Sequence, residues 1–129
     1  MTENNSLDTK ILIVDDEPNV RDFLKLFLKF KGYRDVSSAD NGRDALAIVK
    51  SEDITLLLLD IMLPDLNGVE VLRQVKEMKA DAAVIMITGY PDEEKAKELL
   101  KQGAYDYIVK PFDLNYLELS VLSKIALAV

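Results

Sequence analysis

Four apolar runs in this chain each stop at an acidic or polar group. KILIV ends at Asp15 and Asp16, ITLLLL at Asp60, VIMI at Thr88 and YDYIV at Lys110. Runs this short and this continuously apolar suit strands buried on both faces, which is the environment of a parallel sheet covered by helices on each side. Between them lie segments whose apolar residues repeat at helical spacing, so the chain reads as alternating strands and helices. Strands are expected near 10–15, 34–38, 54–60, 83–88 and 105–110, the second (RDVSS) weak and at an edge. The fold class that follows is α/β, a single doubly wound sheet of five parallel strands with five helices. Ligands of such sheets bind at the carboxyl ends of the strands, so the four stops would converge on one crevice.

The helices can be placed from their stripes and caps. Val20, Phe23, Leu24, Phe27 and Leu28 follow Pro18 with the spacing of one helix face, and Gly32 supplies a stop. A second helix over 42–51 carries Ala45, Leu46 and Val49, with Asp40 or Asn41 as its cap. A third, 67–79, carries Val71, Leu72, Val75 and Met78. The fourth, 92–102, offers only Ala96, Leu99 and Leu100 and should be loosely held. The fifth, 113–128, has two apolar stripes. Leu114, Leu117, Val121, Ile125 and Ala128 can cover the sheet, whereas Leu119, Leu122 and Ala126 call for a partner.

At 129 residues and 49% hydrophobic content the chain fills one domain. Residues 1–8 read as a flexible N-terminus and 9–129 as the domain. A net charge of -7 opposes direct binding to nucleic acid or an anionic membrane and favours protein partners. The absence of cysteine and histidine removes thiol and Ser-His-Asp catalysis and the common transition-metal sites. A metal held here must be hard and oxygen-loving. No secretory signal or membrane span is visible, and the expected location is the cytoplasm.

Asp60 ends the most apolar strand and precedes a loop turned by Pro64 and Gly68. A carboxylate there can attack phosphorus, provided cations offset the repulsion between the two anions. Asp15 and Asp16 can hold a divalent ion beside it, magnesium being the best match. Lys110 offers a mobile positive charge for a phosphoryl oxygen, and Thr88 a hydroxyl. Backbone N–H groups after Asp60 and Thr88, those of Ile61 and Gly89, offer further donors. The Lys110–Pro111 bond is a candidate for the cis form.

ILIVDDEP, LLLLDIMLPDLNG, MITG and GAYDYIVKPF occur in this order from about residue 9 to the end. In that order and spacing the chain resembles the receiver domains of bacterial two-component response regulators. The resemblance implies a flavodoxin-like strand order of 2-1-3-4-5. It implies that Asp60 takes a phosphoryl group from a histidine kinase or phosphotransfer protein, in a reaction needing Mg2+, with Mn2+ as a substitute. By it, Asp16 is a direct metal ligand, Asp15 binds largely through water, and Met62 contributes its backbone carbonyl. Thr88 and Tyr107 match the switch pair, whose movement reshapes the surface of the fourth helix, fifth strand and fifth helix. That surface would control a homodimer or an output domain. The protein would catalyse only its own phosphorylation and dephosphorylation.

Blander roles exist for each residue: Asp15, Asp16 and Thr88 as caps, Lys110 as a solvated strand end, Tyr107 and Tyr105 as packing. A nucleotide-binding enzyme is disfavoured, because the glycines at 32, 42, 68, 89 and 103 form neither G-x-G-x-x-G nor a P-loop. An aspartyl phosphatase or mutase is disfavoured because Asp15-Asp16-Glu17-Pro18 lacks a second Asp two positions after the first. The remaining alternative is a pseudo-receiver that binds partners without phosphorylation.

Overall fold

A computed structural model describes residues 8–128, the side chains through Ser123. The N-terminal segment up to residue 7 lies outside the described residues, as do the side chains of Ile125, Ala126 and Ala128 in the stripes of the last helix. The elements alternate as the apolar pattern requires: β1 Lys10–Val14, α1 Pro18–Phe30, β2 Asp35–Ala39, α2 Gly42–Ser51, β3 Leu56–Asp60, α3 Gly68–Met78, β4 Ala83–Thr88, α4 Glu93–Lys101, β5 Asp106–Val109 and α5 Leu114–Ala128. The strands form one parallel sheet in the order β2-β1-β3-β4-β5. Strand and helix bounds fall within about two residues of those expected.

Period-2 alternation divides the central strands between two cores. Leu12, Val14, Leu57, Leu59, Val84 and Met86 face α2, α3 and α4, meeting Ala45, Val49, Val71, Leu72, Val75 and Leu99. Ile11, Ile13, Leu56, Leu58, Ile85, Ile87 and Ile108 face α1 and α5, meeting Leu24, Leu28, Leu117 and Val121. β1 from Ile11 and β3 through Leu59 are fully buried. Each such Leu or Ile contributes about 1.5–3 kcal/mol relative to exposure. That rigid middle supports the strand ends.

α1 starts at Pro18 without a side-chain cap, whereas α2, α3 and α4 are capped by Asn41, Asn67 and Asp92, with Asn41 accepting from the Asp44 N–H. Four stripe residues expected on the apolar faces are exposed: Phe23 of α1, Met78 of α3, Leu100 of α4 and Leu114 of α5. Leu100 is exposed rather than on the core side, so Leu99 is the one fully buried side chain of α4. Leu114, the first residue of α5, is also exposed, and Leu117 and Val121 make the contact. Leu119 and Leu122 are exposed, as the second stripe required.

Candidate phosphoryl site at the carboxyl edge of the sheet

Strand alternation carries three of the site residues to the same side. Asp15 extends the row Ile11–Ile13, Asp60 the row Leu56–Leu58, and Lys110 follows Ile108 by two. Thr88 continues the opposite row, Val84–Met86, and Tyr107 pairs with Met86 on that same side. The sheet therefore separates a charged cluster from a hydroxyl pair at one edge.

The charged cluster is dense. Lys110 Nζ lies 2.9 Å from Asp15, 3.1 Å from Glu17 and 3.3 Å from Asp60. Asp15 and Asp60 are almost fully buried, and the Lys110 side chain is 16% exposed. Burial alone would lower the Lys110 pKa, but hydrogen bonding to Asp15 and Glu17 and the charges of Asp60 and Asp15 outweigh it and hold it above the ordinary lysine value. The ammonium is locked in its charged form. The Asp60 carboxyl is biased instead toward its neutral form: burial, opposed by the Met62 N–H, then reinforced by the charge of Asp15, pushes its pKa up to about 6. Lys110 lowers it only in part. The Lys110–Pro111 bond is cis.

One ligand atom from each of Asp15, Asp16, Glu17 and Asp60 lies within 4.8 Å of the others, close enough to surround one cation. Asp15 Oδ2 is buried and, beyond the Lys110 ammonium 2.9 Å away, has no other donor among the described residues. A carboxylate oxygen accepts from more than one partner, and a hard divalent ion among all-oxygen ligands would supply the second. The donor set fits such an ion.

The backbone after Asp60 departs from expectation in one respect. The Ile61 N–H donates to the Ile87 carbonyl at 3.0 Å, continuing the β3–β4 ladder, so it is not a free donor for a phosphoryl group. It is the Met62 N–H that turns inward, donating to Asp60 Oδ1 at 3.1 Å. On the hydroxyl side, buried Thr88 Oγ1 accepts from the Tyr90 N–H at 2.9 Å. Gly89 is exposed, and a Cβ there would meet nothing within 4 Å. Tyr107 is half-buried, and its hydroxyl accepts from the Asp92 N–H, the N-cap of α4, at 3.2 Å. Tyr105 bonds Ser123 Oγ through its hydroxyl.

Glu17 was not singled out in the sequence. It stands in plain view after Asp15-Asp16, but its reach to Lys110, 93 positions later, exists only once β1 and β5 are folded.

Residues 11–122 match the model of the response regulator receiver domain. The chain belongs to that family. Among curated relatives, Regulatory protein AtoC of Escherichia coli is 39% identical over 112 residues, which is 87% of this chain and 24% of that protein. Transcriptional regulatory protein ResD of Bacillus subtilis is 41% identical over 105 residues, 81% of this chain and 43% of that protein. This receiver domain thus spans less than half the length of either relative. Among solved structures, a CheY-like receiver domain protein from Methanospirillum hungatei superimposes with a TM-score of 0.87 at 35% identity, covering 92% of this chain and 94% of that one. CheY from Borrelia burgdorferi, solved in a CheX-CheY-BeF3-Mg2+ complex, gives 0.85 at 31% identity, covering 89% and 87%. Among the described residues, no helix of the receiver is long and apolar enough to cross a membrane.

Proposed function

We propose that this receiver domain is a phosphorylation-dependent switch in which Asp60 accepts a phosphoryl group from a histidine kinase or phosphotransfer protein. The observation that carries the proposal is the buried Asp60 carboxylate held between the Met62 N–H and a permanently charged Lys110. A carboxylate oxygen of Asp60 forms the new bond to phosphorus as the bond to the donor's imidazole nitrogen breaks. Lys110 then has a phosphoryl oxygen to pair with in exchange for a carboxylate, and Thr88 a new acceptor for its hydroxyl. Asp15, Asp16, Asp60 and the Met62 carbonyl would hold Mg2+, or Mn2+, which when bound offsets the negative charge gathered around phosphorus. The similarity to a CheY solved with BeF3 and Mg2+ supports that choice.

Thr88 and Tyr107 would pass the change outward. The Tyr107 hydroxyl is tied to the start of α4, a helix anchored by Leu99, so its rotation would release a weakly held element. The face of α4, β5 and α5, where Val109, Leu119 and Leu122 are exposed, would then control a homodimer or an output domain in the cytoplasm.

Intact-mass measurement after incubation with a small acyl phosphate and Mg2+ tests the assignment. One phosphoryl adduct is expected, absent in Asp60→Asn. An adduct that persists in the variant, or none in the wild type, would sink it, the latter favouring a pseudo-receiver. A second expectation concerns lifetime: Met62 and Tyr90, two residues after Asp60 and Thr88, are bulky and border the site. Replacing both with small polar residues should speed loss of the phosphoryl group several-fold, because water gains access. An unchanged decay rate would rule out that shielding.

A further inference from the structure

The loop from Ile61 to Asn67 carries Met62 over Asp60, yet it has no regular structure of its own to hold it there. Two attachments do so. At its base the Gly68 N–H donates to the Ile61 carbonyl at 2.7 Å, closing the loop on itself. At its tip the Asp65 carboxylate crosses to the first turn of α2, 23 positions back in the chain, where Oδ1 accepts from the Gly42 N–H at 2.8 Å and Oδ2 from the Arg43 N–H at 3.0 Å. Oδ1 also accepts from the Leu66 N–H at 2.8 Å, which sets the tip of the loop itself.

The first helical N–H groups have no partner within a helix, and α2 divides them between two residues. Its own cap, Asn41, takes the Asp44 N–H, and Asp65 takes the two before it. The favourable end of the helix dipole adds to these bonds. The Gly42 N–H leads the causes that hold the Asp65 carboxyl below the usual range. The fit between loop and helix is close on independent grounds. A Cβ at Gly42 would stand 3.0 Å from Leu66 Cβ and 3.0 Å from Val71 Cγ2, so the loop approaches where the helix has no side chain.

We infer that Asp65 is a positioning residue for the phosphoryl site: by clamping the loop after Asp60 to the start of α2, it sets where the Met62 backbone stands beside the Asp60 carboxylate. The inference rests on the reading of Asp60 as phosphoacceptor. It assigns the residue no contact with substrate. Its effect is transmitted through three residues of backbone.

Asn41→Ala is the matched control, since it uncaps the same helix without touching the loop. Both Asp65→Ala and Asn41→Ala should lower the thermal midpoint. Only Asp65→Ala should weaken Mg2+ binding, by roughly tenfold, the low end of what outer-shell supports of metal ligands are worth. Binding is read by titrating Mg2+ against backbone amide resonances at a temperature where all variants are folded. In the metal-free protein, Asp65→Ala should also shift the Met62 amide and speed its hydrogen exchange, whereas Asn41→Ala should not. If Asp65→Ala does not fold, Asp65→Asn keeps one acceptor oxygen and should show the same changes at reduced size. Equal Mg2+ affinity in the Asp65 and Asn41 variants, with an undisturbed Met62 amide, overturns the positioning role. A wild type that takes up neither Mg2+ nor a phosphoryl group overturns the phosphoacceptor reading instead, and the Met62 amide of the metal-free protein then decides the role of Asp65 alone.

Discussion

Replacing Asp60 by Asn should stabilise the metal-free protein near neutral pH by up to about 3 kcal/mol, because a shift of one pKa unit corresponds to about 1.4 kcal/mol. The carboxyl titrates at about 6 in the folded protein against an ordinary value of 3.8. Between those two values the folded state holds a proton that the unfolded state has lost, so stability falls as pH rises through that window. The cause is first burial and then the charge of Asp15, which the Met62 N–H and Lys110 only partly offset. Asparagine stays neutral and has no such slope. Urea denaturation of both proteins from about pH 4 to about pH 7 should show a stability difference near zero at the acid end that grows toward neutrality. A difference independent of pH would contradict this account. Added Mg2+ should narrow the gap at neutral pH, since a cation among Asp15, Asp16 and Asp60 relieves the repulsion that the variant removes.

Gly68→Ala should destabilise the protein by about 3 kcal/mol, the upper end of the usual cost of overpacking. A Cβ at this position would lie 2.5 Å from the Asp60 carbonyl oxygen and 2.7 Å from Ile61 Cα, both backbone atoms with no flexible side chain to yield. Helix propensity predicts the opposite sign, because Ala in a helix is favoured over Gly by roughly 1 kcal/mol. The measurement is therefore decisive in direction as well as size. It should be accompanied by weaker Mg2+ binding, since the backbone that must move is that of Asp60 and Ile61. A variant as stable as the wild type in urea would show that the loop relaxes without strain.

Much of this was legible in the chain itself because the signals are periodic or local. LLLLD could only be a strand buried on both faces, and its terminal Asp had to emerge at the carboxyl edge beside the ends of its neighbours. The stripe of α2 narrowed its cap to Asp40 or Asn41, and the structure makes it Asn41. The contacts that were not legible join residues whose separation in sequence says nothing of their distance. Glu17 meets Lys110 because β1 and β5 point the same way, and Asp65 meets Gly42 because α2 and α3 pack side by side. The exchange of Ile61 for Met62 as inward donor has the same origin: a residue's N–H faces the neighbouring strand or the site according to where the β3–β4 ladder stops. Leu100 and Leu114 were misplaced because a stripe gives a helix its apolar face but not which of its residues meet the core: Leu100 is turned away while its neighbour Leu99 is buried, and Leu114 stands at the first position of its helix.

By itself, then, the sequence determined the layers, the strand ends and the chemical types gathered there, since side-chain periods of 2 and 3.6 are properties of a single element. The tertiary structure alone decided which groups touch: three carboxylates on one ammonium, a buried Asp15 oxygen whose partner is that ammonium, and a loop fastened to a neighbouring helix. Hydrogen bonds and desolvation act over a few ångströms. Distances of that size are set only when separate elements pack together.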